Sequence, residues 1–85
     1  MFKKIIRDGL IVGALTYTDV GSYVEVEMQI RKGTEYEKQF RNIATENNMV
    51  DNGTGFFYTK KFNYNKWKSA RQLHKKIKMQ IEEFK

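Results

Sequence analysis

Between Tyr23 and Lys32 apolar and polar residues alternate: Val24, Val26, Met28 and Ile30 fall on one side, and Tyr23, Glu25, Glu27, Gln29 and Arg31 on the other. A period of two marks a β-strand with one buried face. Upstream, Gly9 to Thr18 (GLIVGALTYT) is a run of apolar and β-favouring residues, and Asp19 to Ser22, containing Gly21, supplies the turn between the two segments. Together they predict an antiparallel hairpin whose apolar faces form one wall of the core.

Residues 34–47 carry a mixed signal. Thr34 and Glu37 have capping-box spacing, and Tyr36, Phe40, Ile43 and Ala44 share one helical face, so helix is the favoured reading. Lys32-Gly33 also fits a hairpin turn, which leaves open a four-stranded meander with a terminal helix. Asp51-Asn52-Gly53 marks a turn, and Gly55 to Phe62 (GFFYTKKF) reads as a strand. The period then changes. From a cap at Asn63 or Asn65, apolar residues recur at three- and four-residue spacing: Trp67, Ala70, Leu73, Ile77, Ile81 and Phe84. In this reading Trp67 anchors the helix on the sheet. The expected architecture is α+β: an antiparallel sheet of three to four strands, covered on one face by a long C-terminal amphipathic helix and by a shorter one if residues 34–47 are helical.

Length and composition narrow the field. An 85-residue chain with 40% apolar residues, no proline and no internal repeat supports one domain, 1–85, built on one core. The absence of cysteine removes disulfides, thiolate nucleophiles and thiolate metal sites, and fits a reducing, cytoplasmic setting. Lys3 and Lys4 precede apolar residues, but Arg7 and Asp8 interrupt the run and no cleavage pattern follows, so no signal peptide is expected. The longest apolar run, Leu10 to Leu15, falls far short of the roughly 20 residues a membrane-spanning helix needs, and no membrane partner is expected. Asn52-Gly53-Thr54 matches a glycosylation sequon and reads more simply as a turn.

Charge is unevenly spread. Residues 1–59 carry seven Lys/Arg against eight Asp/Glu, whereas residues 60–85 carry nine against two. Such a block attracts polyanions: nucleic acid, an anionic membrane face or an acidic protein. On the terminal helix, Lys68, Arg71, Lys75 and Lys78 fall on one stripe beside the apolar face. Like charges at that spacing repel, by a few tenths of a kcal/mol for each close pair. The helix also opposes its own dipole, with Lys66 and Lys68 near the positive end and Glu82 and Glu83 near the negative one. Folding gains nothing from this arrangement, and an anionic partner would relieve it. A lysine-rich solvated face is the competing explanation.

Between Phe56 and Trp67 six aromatics interleave with Lys60, Lys61 and Lys66, a mixture suited to stacked bases and phosphates. Strand alternation buries either Phe56 or Phe57 and most of these rings belong to the core, with Tyr58 and Tyr64 as the expected exceptions. Gly55-Phe56-Phe57-Tyr58 lacks the leading basic residue and the small residue of an RNA-recognition strand. Twelve lysines against four arginines argue against base-specific readout, because arginine supplies the bidentate fork.

Catalytic chemistry is thinly represented. His74, the only histidine, borders the buried stripe and reads as a packed side chain. Glu25 and Glu27 share a strand face but have no nuclease-like companions, and read as a solvated face. No enzyme activity and no cofactor or metal site is expected.

Two readings follow. The first is a weakly sequence-selective nucleic-acid-binding accessory protein, for DNA or RNA, using Lys60, Lys61, Lys66, Lys68, Arg71, Lys75 and Lys78 on phosphates, with Tyr58 and Tyr64 available to bases. The second is a protein-interaction module or small inhibitor that sets the basic helix or a strand edge against an acidic surface of a larger protein. Abundant lysine, asparagine, isoleucine, tyrosine and phenylalanine imply AT-rich coding, a composition that resembles small phage or mobile-element products; no family motif accompanies it.

Overall fold

The computed structural model describes residues 2–84. Five strands form one antiparallel sheet: β1 (Phe2–Arg7), β2 (Leu10–Asp19), β3 (Tyr23–Ile30), β4 (Val50–Asp51) and β5 (Phe57–Asn63), in the order β1-β2-β3-β5-β4. Helix α1 (Glu37–Glu46) follows β3, and a 3-10 turn (Tyr64–Lys66) leads from β5 into helix α2 (Trp67–Glu82). Both helices pack on one face of the sheet, giving the two-layer α+β architecture that the alternating and helical periods predict.

The β2–β3 hairpin is the centre of the sheet. Leu15 lies opposite Met28 and Tyr17 opposite Val26, and all four are buried with Val24 and Ile30. Their cover comes from Phe40, Ile43 and Ala44 of α1 and from Ala70, Ile77 and Ile81 of α2. Removing each large side chain from water contributes about 1.5–3 kcal/mol, so this shared face is the main drive to fold. Gly13 is the point of closest approach. A Cβ there would stand 2.6 Å from the Gln29 carbonyl oxygen and 2.9 Å from Phe40 Cζ, so only a hydrogen lets the Phe40 ring seat against the sheet.

The sheet has two strands more than the hydrophobic pattern certainly gives. In β1 the doublets Lys3-Lys4 and Ile5-Ile6 blur the period of two. Its register also slips: Ile5 pairs with Gly13 and Ile6 with Ile11, leaving the buried Val12 as the extra residue of a β-bulge. β4 is two residues long, too short for any periodicity, and pairs Val50 with Thr59 and Asp51 with Tyr58.

Residues 37–46 are helical, which excludes the meander. The Thr34–Glu37 box closes differently from its sequence spacing: the Thr34 hydroxyl accepts from the Tyr36 N–H at 3.4 Å, and the Glu37 carboxylate accepts from the Gly33 N–H at 2.7 Å. Neither Asn63 nor Asn65 caps a helix through its side chain, because the 3-10 turn intervenes and Lys66 occupies the N-cap of α2. The Asn52 carboxamide is occupied within its own turn, accepting from the Thr54 N–H and hydroxyl at 3.2 and 2.8 Å. No helix among the described residues is long and apolar enough to cross a membrane.

Candidate nucleic-acid interface

Helix α2 buries Ala70, Ile77 and Ile81 and turns its opposite side to solvent. Lys68, Arg71 and Lys75 are exposed on that side, and Lys78 is half-buried where the helix passes β1. Among the described residues the ion pair within 4 Å is Arg41–Glu37 on α1; no ridge cation forms one, although Asp19 shares a cleft with Arg71 and Glu82 a groove with Lys78. There is no acid in the first turn of α2 and no base in its last, which leaves the helix dipole opposed by its own side chains.

The fold adds cations from the start of the chain. Lys3 lies opposite Leu15 on the helix-covered face of β1, and Lys3 and Arg7 line a groove with Lys78. Arg7 Nη2 donates to the Ile81 carbonyl at 2.8 Å and supplies the C-terminal positive charge that α2 lacks. Lys60 does the same for α1: its Nζ donates to the carbonyl of the C-cap residue Asn47 at 3.3 Å. Lys60 points toward the helices and serves the fold. Lys61, its neighbour, projects to the open face, 5.1 Å from the Tyr23 ring and across from Glu25.

The aromatics divide differently from the sequence reading. Tyr58 sits opposite Met28 on the covered face and packs, half-buried, against the core. Phe56 also packs there under the Arg41 guanidinium, 4.8 Å from its ring centre, while Phe57 takes the open face opposite Gln29. Tyr64 is 47% exposed. Trp67 is 39% exposed, so it does not anchor the helix; Ala70, one turn later, is the first fully buried residue of α2. Trp67, Tyr64, Tyr17, Asp19 and Arg71 instead line a shallow cleft of about 280 Å³ at the head of the ridge. The Arg71 guanidinium lies 5.3 Å from the Tyr17 ring centre and 5.8 Å from that of Trp67, and Lys68 Nζ lies 5.6 Å from Trp67.

Of the residues singled out from sequence, Lys68, Arg71, Lys75, Lys78, Lys66 and Tyr64 therefore lie along α2 and its lead-in turn, whereas Lys60, Lys61 and Tyr58 belong to other surfaces. Lys3, Arg7, Tyr17, Asp19 and the exposed indole were missed. Trp67 matches the apolar stripe in spacing, and only the structure shows that it stays 39% exposed beside Arg71 and Lys68.

The titratable groups outside the ridge have local explanations. His74 meets the edge of Tyr17 at 6.3 Å and its Nε2 is buried without a hydrogen-bond partner among the described residues. Burial, reinforced by the nearby positive charges of Lys78, Lys3 and Arg71, holds it below its ordinary pKa. On the open face, a hydrogen bond with Glu25, followed by partial desolvation and repulsion between the carboxylates, pushes Glu27 up to about 7. No group of three metal-ligating side chains gathers among the described residues.

No protein-family model matches the chain, and comparison with curated proteins and with solved structures gives no match either.

Proposed function

We propose that this protein is a cytoplasmic, non-enzymatic nucleic-acid-binding accessory domain that prefers single strands. Phosphates meet Lys68, Arg71, Lys75 and Lys78, with Lys3 extending the track, and unstacked bases lie against Trp67 and Tyr64. The observation that supports this reading is the part-exposed indole at the head of a cationic ridge that forms no ion pair among the described residues. Indole and phenol rings accept any base by stacking while ammonium groups hold the backbone as point charges, so affinity comes with little sequence preference. A duplex keeps its bases stacked internally and engages only the charges.

Trp67 is the only tryptophan, so its emission reports the site directly. Titration with single-stranded and duplex oligonucleotides at two salt concentrations should quench Trp67 with the single strands. If about five phosphates are neutralised, log affinity should fall against log salt with a slope near −3.5 for single strands and near −4.5 for duplex. Salt-independent binding, or no response to any oligonucleotide, would remove the reading. The alternative, a protein-interaction module, draws support from a separate part of the molecule, the free margin of β1.

A further inference from the structure

We infer that the free edge of β1 is a docking strand for an extended acidic segment of a partner protein, which adds to the sheet with its acids toward α2 and its apolar side chains toward the open face. Among the described residues β1 pairs only with β2 and forms one margin of the sheet. Its outer side therefore presents main-chain N–H and C=O groups that no other strand pairs among the described residues, while the Ile6 carbonyl accepts from Arg7 Nη1 at 2.9 Å. Strand addition uses such a row for affinity and alternate side chains for specificity.

The side chains of β1 define the partner. Lys3, Ile5 and Arg7 lie toward the helices, and Phe2, Lys4 and Ile6 toward the open face. Between β1 and α2 runs a groove of about 260 Å³, with Ile5 and Ile81 at its base and Lys3, Arg7 and Lys78 set against the single acid Glu82. Carboxylates on an added strand would enter this groove. On the other face, Phe2 and Ile6 are 59% and 54% exposed, and Ile11 across the pair is exposed as well. Apolar side chains grouped at an open sheet margin mark a contact surface.

A second copy of the chain fits poorly. The two longest antiparallel self-pairings of β1 that keep its faces matched set Lys4 against Lys4 or Lys3 against Arg7, and directly opposed like charges destabilise a strand pair. A polynucleotide has no amides to complete the edge and no counterpart for Phe2 and Ile6. An acidic, alternating polypeptide satisfies all three features at once.

The test uses a short synthetic peptide alternating Glu and Val, titrated into the isotopically labelled protein with the β1 amides followed by NMR. Binding should perturb and protect amides within residues 2–7, a Lys-Val peptide should not bind, and Lys3→Glu should weaken the Glu-Val peptide by about tenfold. Successive N–H groups of a strand point to opposite sides. Of two peptides N-methylated at all Glu or at all Val, one should bind as the parent does and the other about tenfold more weakly or worse. Equal binding of the two methylated peptides, perturbation confined to residues outside β1, or β1 amides protected by self-association of the protein alone would each overturn the inference.

Discussion

Helices α1 and α2 lie on the same sheet face, both amphipathic, yet they dispose of their charges in opposite ways. On α1, Arg41 is committed inside the protein: it pairs with Glu37 at 3.1 Å, donates to the Gly55 carbonyl at 3.1 Å and covers the Phe56 ring. Glu46 accepts from Gln80 at 3.0 Å across to the other helix. On α2, Lys68, Arg71 and Lys75 have no carboxylate within ion-pair distance among the described residues; Lys68 and Arg71 lie beside the Trp67 ring, Arg71 also beside Tyr17, and Lys75 is exposed. One helix uses charge to hold loops and layers together, while the other carries charge that its own stability would be better without. That contrast separates a cation tied by an ion pair and a hydrogen bond from a row of cations held by neither.

The sharpest break in the comparison comes from replacing Lys68, Arg71, Lys75 and Lys78 by Gln together. Affinity for a single-stranded oligonucleotide in about 0.1 M salt should fall by two to three orders of magnitude and the salt slope should shrink by about 3. Thermal stability should stay level or rise, because repulsion along the row is relieved. Arg41→Ala should give the converse result, a loss of about 1–2 kcal/mol in denaturant unfolding with oligonucleotide affinity unchanged.

Two smaller effects separate the sheet's faces by pH. Glu27 is raised from an ordinary 4.5 to about 7, so the contribution of its shared proton is full below 4.5 and is lost as pH rises through 7. Glu27→Gln should therefore stabilise the protein above pH 7, by about 1 kcal/mol or less given the exposure of this face, and should do little at pH 4. His74 has the opposite sign. Its folded pKa lies below the ordinary 6.5, so its contribution is full above 6.5 and is lost as pH falls through the folded value. His74→Leu should flatten the acid side of a melting-temperature profile, the smallest change of the four.

The sequence was most readable where one face of an element is buried along its whole length. β3 announces itself by alternation, and α2 by its three- and four-residue spacing, because each packs against a continuous surface. β1 was hidden because its doublets and bulge break the period, and its strand character depends on pairing with β2. The fates of Lys60 and Lys61 could not be separated by charge, since adjacent strand residues take opposite faces and only the register with β3 says which face holds the helices. Trp67 fits the apolar stripe by a spacing that holds along the helix but says nothing of how much of each side chain the sheet covers. The ridge itself was legible throughout, as four positions of one helix need no tertiary contact to align.

Lys60 and Arg7, which reach from strands to the last carbonyls of α1 and α2, bear on how far the domain can be dissected. A peptide comprising residues 64–85 alone would forfeit the Arg7 contact and the apolar floor that keeps its helix wound, and would behave as a shapeless polycation drawn to any anion and dispersed by modest salt. What the strands lend the terminal segment is spacing. Transplanting its lysines to an unrelated scaffold would carry over the attraction and leave behind the geometry.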